Sequence, residues 1–123
     1  MDKAPLKKML VFDDPEVVSL VLGAVEGRCE IVWAHKDEDL IPAVQKENPD
    51  LVLMKYEVDE CARYGKLLEG VRSLDPKISI VIMGGEELLT HMPLNIKGAI
   101  FKPLHPDFLA RQLKDFKILS QPD

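Results

Sequence analysis

The sequence has 123 residues, of which 46% are hydrophobic and 30% charged, a balance typical of a single soluble globular domain. The formal net charge of −5 argues against sequence-independent binding to nucleic acid or to an anionic membrane. No apolar run approaches the ~20 residues that a membrane-spanning helix needs, and no secretory leader pattern is present, so we expect a cytoplasmic protein.

Short β-rich runs alternate with longer segments of helical spacing. The strand candidates, in chain order, are Lys8–Phe12, Glu30–Ala34, Asp50–Met54, Ile78–Met83 and Gly98–Phe101. The helix candidates are Pro15–Glu26, Asp39–Glu47, Glu60–Leu74 and Pro106–Phe116. In the first helix, Val18, Val21 and Val25 recur at the spacing of one buried face. Only one or two helical turns fit Glu86–His91 before Pro93, so a helix at this point is short or missing.

Two helix starts are marked by local chemistry. Asp14 precedes Pro15, which combines a capping side chain with a proline at the first helical position. A proline is tolerated in the first turn of a helix and disrupts its interior. Because of Pro42, the second helix is therefore predicted to begin near Asp39.

Three of the strand candidates are nearly continuously apolar: Met9–Phe12, Leu51–Met54 and Ile78–Met83. Such runs are typical of parallel strands that helices cover on both faces. The alternation therefore predicts an α/β fold of the flavodoxin-like, doubly wound type. It has a five-stranded parallel sheet at the centre of a three-layer sandwich, and its crossovers are right-handed.

Polar residues follow the strand candidates at the edge where such folds place their sites. Asp13 and Asp14 follow the first strand, Lys55 the third, Gly84 the fourth and Lys102 the fifth. We expect two acids and two lysines to converge at this edge. The diglycine at 84–85 lacks the surrounding pattern of a phosphate-binding loop, so we predict a turn there.

Three motifs at these strand ends resemble the receiver domains of bacterial response regulators, the chemotaxis-regulator-like family. Residues 8–17, KMLVFDDPEV, are similar to the family's opening, in which an acid pair for magnesium closes the first strand. Residues 48–54, NPDLVLM, resemble the stretch that leads into the phosphorylated aspartate, and residues 98–104, GAIFKPL, resemble the ending with its lysine before a proline. The resemblance covers about residues 7 to 117. It implies a receiver-like domain of two-component or phosphorelay signalling.

The sequence departs from the family at the positions that carry its chemistry. Lys55 stands where the resemblance places the phosphorylated aspartate, Gly84 where it places a hydroxyl residue, and Ala99 where it places the aromatic switch residue. An acyl phosphate needs a carboxylate nucleophile, and an ammonium group repels the divalent cation that carboxylates would bind. We therefore expect a degenerate pseudo-receiver that lacks phosphorylation at this site, binds no magnesium and needs no cofactor.

Two questions about this degenerate site stay open at the level of the sequence: the partner of Lys55, and the alignment of Asp13 and Asp14 with the acid pair of the family. We expect Lys55 to pair with Asp13 in place of a metal, although it could instead point to solvent, and we expect Lys102 to form a structural salt bridge. If the strand register is kept, Asp13 and Asp14 match the acid pair of the family. If Pro15 is aligned instead, which capping chemistry slightly favours, Asp14 is the helix cap and Phe12 replaces the first acid.

Two classes of function compete. The first is a phosphorylation-independent protein-interaction module, whose partner would be a histidine kinase, an output domain or another regulator. The alternative is a small-ligand binder or enzyme on a flavodoxin-like scaffold, which would need a Ser-, Thr- or Gly-rich loop after the first strand. Residues 12–15, FDDP, are an acidic closure instead. The first class is therefore preferred, with no catalytic residues assigned and the oligomeric state left open.

The partner surface is predicted on the fifth strand and last helix, since the resembled family meets partners there. The candidates are Phe101, Leu104, Arg111, Lys114 and the loop Pro93–Lys97. Aromatic, aliphatic and arginine side chains are the composition of binding hot spots. The alternative is that the apolar pair packs in the core and the basic pair is solvated.

The remaining assignments concern boundaries and single residues. Residues 1–6 are predicted as a tail, 7–118 as the receiver-like domain, and 119–123 as a tail or the start of a linker within a longer regulator. We expect Cys29 to be buried and Trp33 to pack near the end of the second strand. The three histidines are scattered, so no metal site is predicted among them.

Overall fold

A computed structural model describes residues 6–118. Its strands are β1 (Lys8–Phe12), β2 (Glu30–Ala34), β3 (Leu51–Lys55), β4 (Ser79–Gly84) and β5 (Gly98–Phe101). Its helices are α1 (Pro15–Val25), α2 (Asp37–Glu47), α3 (Cys61–Leu74) and α4 (Pro106–Asp115), with 3₁₀ turns at Val58–Glu60 and Glu86–Leu89. The alternation of strands and helices predicted from the sequence is confirmed.

The five strands form one parallel sheet in the order β2-β1-β3-β4-β5. Two hydrophobic clusters cover its opposite faces. One joins the sheet to α1 and α4 and includes Val11, Val21 and Leu113; the other joins it to α2 and α3 and includes Phe12. This is the predicted doubly wound, flavodoxin-like three-layer sandwich. All five strands point the same way, so their carboxyl ends meet at one edge.

The second helix starts earlier than predicted. α2 begins at Asp37 and contains Pro42 as its sixth residue, so the start near Asp39 was wrong. Pro42 is exposed, and the carbonyl of Glu38, which loses its helical donor there, can be hydrated. Three acids in the first turn (Asp37, Glu38 and Asp39) also favour this early start, because they complement the helix dipole.

The segment between β4 and β5 has no α-helix, which agrees with a fourth helix that is short or missing. After the 3₁₀ turn, the chain is held by Arg72 of α3, whose guanidinium donates to the carbonyls of Leu94 and Asn95. The amide of Lys97 then donates to the carbonyl of Ile80 at 2.7 Å, which leads the chain into β5. A single 3₁₀ turn and an irregular segment thus take the place of a crossover helix.

Two single-residue expectations have opposite outcomes. Cys29 is buried as expected, and burial raises the pKa of its thiol to about 11. Trp33 does not pack: it is 61% exposed, and it lies on β2, which is an edge strand of the sheet. Among residues 6–118, no helix is long and apolar enough to cross a membrane.

Candidate functional site

Asp13 and Lys102 form an ion pair at the carboxyl edge of the sheet, in which the acid is buried and the lysine side chain is 32% exposed. Asp13 directly follows β1 and is 1% exposed. One carboxylate oxygen accepts from Lys102 Nζ at 2.8 Å, and the other accepts from the backbone amide of Asp14 at 2.7 Å. The backbone amide of Lys102 donates to the carbonyl of Gly84 at 2.7 Å, which fixes the lysine beyond β5. Lys102 therefore forms the structural salt bridge that the sequence predicted.

Lys55 pairs with Asp14, so the expected pairing with Asp13 was wrong. Lys55 Nζ lies 3.5 Å from Asp14 Oδ1, and the Nε2 atom of His35 lies 3.5 Å from the same oxygen. The physical reason is electrostatic: Lys102 already neutralises the Asp13 charge at 2.8 Å, so a second ammonium group is repelled there and is attracted to Asp14. The Lys55 side chain is only 15% exposed, so the alternative that it points to solvent is also excluded.

Asp14 combines the two roles that the sequence left open, helix cap and site acid. Asp14 occupies the N-cap position of α1 by its backbone, and its carbonyl accepts the amides of Val17 and Val18. Its side chain makes no capping hydrogen bond and turns to Lys55 instead. Phe12 is fully buried in the cluster on the α2 and α3 face. Asp14 therefore lies at the helix cap, as the register favoured by capping chemistry has it, while its side chain contacts the site. The alignment of Asp13 and Asp14 with the acid pair of the resembled family stays a prediction.

Gly84 is buried at the end of β4 with no room for a side chain. A Cβ atom there would lie 2.5 Å from the backbone oxygen of Tyr56 and 2.7 Å from Cδ1 of Leu88. The Tyr56 backbone cannot easily withdraw, because its amide donates to the carbonyl of Met83 at 2.8 Å. The position that the resemblance assigns to a hydroxyl residue is thus closed by the backbone of the neighbouring strand end.

Ala99 lies on the face of the sheet that α2 and α3 cover. It pairs with Ile82 and packs, half-buried, against that cluster. An alanine has no rotamer to change, so nothing at this position can swing between an inward and an outward state. Gly84 and Ala99 are therefore both packing positions.

A second cation–carboxylate group borders the site at the starts of α2 and α3. Arg63 holds Asp37 with two hydrogen bonds, Nε–Oδ2 at 2.5 Å and Nη2–Oδ1 at 2.8 Å, and this lowers the pKa of Asp37 from its ordinary 3.8. The guanidinium also lies 4.8 Å from the ring centroid of Tyr64. Burial raises the pKa of Tyr64 to about 12, so its hydroxyl stays neutral at physiological pH.

The donor set at the strand ends suits ion pairing rather than metal binding or nucleophilic chemistry. Asp13 and Asp14 are each in contact with a lysine ammonium group, and one of these lysines, Lys55, is the last residue of β3. Within residues 6–118, no group of three or more His, Cys, Asp or Glu side chains is arranged to hold a metal ion.

The predicted partner-surface residues are not all equivalent. Phe101 is 38% exposed at the end of edge strand β5, and Arg111 and Lys114 are exposed on α4. Leu104 is half-buried and packs against the cluster beneath α1 and α4, so it belongs mainly to the core. The sequence prediction missed Phe108, which is 57% exposed on α4. Its position outside the apolar stripe of Leu109, Leu113 and Phe116 was the available signal.

Comparisons with known proteins give a fold and no closer relationship. No protein-family model and no curated protein sequence matches the chain. Many solved structures do match it. The chemotaxis response regulator CheY4 of Vibrio cholerae is similar with a TM-score of 0.77 and 17% identity, covering 90% of this chain and 98% of that chain.

Two further structures extend this similarity. A CheY-like protein (tadZ) from Pseudomonas aeruginosa PAO1 has a TM-score of 0.71 and 16% identity, covering 89% of this chain and 98% of that one. NtrX from Brucella abortus in complex with ATP has a TM-score of 0.74 and 20% identity, covering 90% of this chain and 26% of the longer one. The chain thus has the fold of CheY-like receiver domains, and the flavodoxin-like fold class is confirmed.

Proposed function

We propose that this chain is a response-regulator receiver-like domain of two-component or phosphorelay signalling that is not phosphorylated at the usual site. It acts as a phosphorylation-independent protein-interaction module, without catalysis of its own, in a cytoplasmic setting. The observation that carries the proposal is Lys55, whose ammonium group lies at the acceptor position and contacts Asp14. The solved structures that share the fold include response regulators, which supports the signalling context.

The charges around Lys55 support loss of both phosphorylation and magnesium. Lys102 neutralises Asp13, Lys55 faces Asp14, and neither acid is left with its carboxylate directed at an open cation site. A divalent ion would need several oxygen ligands at once and would lie beside an ammonium group. The domain therefore needs no cofactor, and the remaining ion pairs fix the loops at the carboxyl edge.

The surface proposed for partner binding combines β5 and α4. Phe101 and Phe108 supply exposed aromatic area, and Arg111 and Lys114 supply positive charge. Aromatic and arginine side chains are enriched among residues that dominate binding energy. The partner is a protein, namely a histidine kinase, an output domain or another regulator, and the domain itself does not bind nucleic acid or membrane.

Exposure to small phosphodonors tests the first half of the proposal. The chain is incubated with acetyl phosphate and magnesium, and its intact mass is measured beside that of a receiver domain with an aspartate acceptor. We expect the control to gain about 80 Da, the mass of one phosphoryl group, and this chain to gain nothing. A stoichiometric, base-labile adduct on this chain would overturn the proposal.

Charge reversal tests the second half. With a partner identified by cross-linking in cells, the double variant Arg111→Glu/Lys114→Glu should weaken binding by ~10-fold or more. Lys55→Ala serves as the matched control and should leave the dissociation constant within about twofold. If Lys55→Ala weakened binding more than the double variant did, the partner would be recognised by the site around Lys55 at the carboxyl edge of the sheet.

A further inference from the structure

Trp33 is exposed, and it belongs neither to the ion pairs at the carboxyl edge nor to the proposed partner surface on β5 and α4. It is the only tryptophan of the chain, it lies within β2, and it is 61% exposed. Its register partner on β1 is Val11, which belongs to the cluster beneath α1 and α4. The indole therefore projects on that same face, at the open side of the sheet. A large aromatic group held rigidly in water is the kind of residue that anchors interfaces.

The β2 edge also lacks the features that keep strand edges apart. β2 is five residues long and contains no proline, no lysine and no glycine. The opposite edge, β5, has only four residues, begins with Gly98, and is flanked by Lys97 and Lys102. Short length and flanking lysines are common protection against strand pairing, and unpaired backbone groups on an unprotected edge favour it. The two edges therefore differ in their readiness to accept another strand.

We propose that the β2 edge pairs with the β2 edge of a second copy of this chain, antiparallel and with Trp33 on the two-fold axis. In this register Trp33 lies opposite Trp33 of the second copy. Val32 lies opposite Ala34, and Glu30 lies opposite Lys36, each twice by symmetry. Lys36 has extended backbone (φ −94°, ψ 148°), so the pairing can reach it. The result is one continuous ten-stranded sheet built from two five-stranded ones.

Charge complementarity selects this register among its neighbours. Glu30 and Lys36 are both exposed, and neither forms an ion pair with another residue in 6–118. Opposite charges placed across an antiparallel pair are favourable, and like charges there are unfavourable. Moving the axis one residue back, to Val32, would place Lys36 opposite Arg28 and remove both Glu30–Lys36 contacts. Trp33 therefore defines the axis.

The exposed flank of α1 fits the same arrangement. α1 contacts α4 on one side, and the right-handed crossover from β1 to β2 puts the β2 edge beside its other side. That side carries Val18, which is buried, and one turn later Leu22, which is 43% exposed. In the paired sheet, Leu22 and Trp33 of both copies fill the space between the two α1 helices. Both exposed apolar side chains are then covered.

The tryptophan itself reports the association. The complete 123-residue chain is diluted from about 1 mM to about 1 μM, a range that brackets a weak to moderate homodimer. Sedimentation equilibrium gives its mass, and Trp33 emission is recorded on the same samples. We expect a monomer–dimer equilibrium with a blue shift of the emission that follows the dimer fraction. A chain that stays monomeric throughout, or a dimer that leaves the emission unchanged, overturns the proposal.

A charge swap tests the register. Lys36→Glu should weaken dimerisation ~10-fold or more by placing like charges opposite each other twice, and Glu30→Lys should do the same. The double variant Glu30→Lys/Lys36→Glu should return the dissociation constant to within about threefold of the parent, because the pairs are restored with reversed sign. Failure of the double variant to recover, beside weakened single variants, would overturn the register.

Two surface variants locate the contact. Leu22→Ser should weaken the dimer and lessen the blue shift, whereas Leu94→Ser should change neither. Leu94 is 80% exposed on the segment before β5, so it is the matched leucine on the opposite side of the sheet. If Phe101→Ser abolishes the dimer and Lys36→Glu leaves dimerisation unchanged, the contact lies at the β5 edge and the proposal is overturned. All variants are compared by far-ultraviolet circular dichroism to confirm an unchanged fold.

Discussion

The two acid–lysine pairs at the carboxyl edge differ in burial and in geometry. Asp13 is 1% exposed and its oxygen is 2.8 Å from Lys102 Nζ, with a second hydrogen bond from the Asp14 amide. The Asp14 side chain is 58% exposed, and its oxygen lies 3.5 Å from both Lys55 Nζ and His35 Nε2. The first pair is a short contact to a buried acid from a lysine that is 32% exposed. The second is a longer contact from a lysine that is 15% exposed to an acid that water can reach.

This difference predicts which of the two lysines contributes more to the stability of the fold. Lys102 matches a lysine that the resembled family has at this place, and here it satisfies a buried carboxylate. Lys55 departs from the family, and it contacts the acid that solvent also reaches. A substitution next to an exposed carboxylate costs little in stability. The charge at position 55 is therefore expected to matter less for the stability of the fold than the charge at position 102.

The largest effect on stability is expected when the pair between Asp13 and Lys102 is broken. Lys102→Met should lower the free energy of unfolding by roughly 3 kcal/mol, because it leaves the Asp13 carboxylate buried with one amide donor. Urea denaturation of parent and variant gives this difference. Adding Asp13→Asn to Lys102→Met should recover part of the loss, since the buried charge is then removed. A loss below about 1 kcal/mol in the single variant would show that the pair is effectively solvated.

The next effect concerns the two neighbouring glycines after the fourth strand. Gly84→Ala should lower stability by roughly 2 kcal/mol, because the new Cβ meets the Tyr56 carbonyl and Leu88. Gly85→Ala is the matched control: its Cβ meets only the carboxylate end of Glu87, which can rotate away. The control should change stability by less than about 0.5 kcal/mol. A loss at position 84 as small as the one expected at position 85 would mean that the strand end can relax, and a hydroxyl residue at 84 would then be sterically possible.

A smaller effect is expected when a carboxylate is placed at position 55. Lys55→Asp places a third acid beside Asp13 and Asp14, and like charges that close destabilise the folded state. In chelator we expect a loss of about 1 kcal/mol, partly recovered by millimolar magnesium through binding to the folded form. Thermal unfolding in chelator and in magnesium measures the loss of stability and its recovery. Lys55→Met is the control, because its stability should be the same in chelator and in magnesium. A variant as stable as the parent in chelator would make Lys55 an ordinary surface residue.

The sequence predicted the fold well because its signals are local and repeated. Apolar strand runs and helical spacing located every strand and helix within a few residues, and the strand ends brought Asp13, Lys55 and Lys102 to one edge. Which lysine pairs with which aspartate at that edge could not be predicted from the sequence, since it depends on which lysine reaches Asp13 across the sheet. The exposure of Trp33 was missed for a similar reason: it depends on β2 being an edge strand of the sheet.

The smallest expected effect comes from the exposed pair between Asp37 and Arg63, which is a benchmark for the loose Lys55–Asp14 contact. Arg63 lowers the pKa of Asp37 below 3.8 in the folded state. The stability that this pair supplies is therefore present above about pH 3.8 and is lost as the pH falls through the lower folded value. The Asp37 side chain is 35% exposed, so the contribution at neutral pH should be below ~1 kcal/mol. Parent and Asp37→Asn should differ by this amount in urea denaturation at pH 7, and the difference should shrink as the pH falls through the lowered pKa of Asp37. A difference that persists at acidic pH would mean that the asparagine disturbs the start of α2 rather than the ion pair.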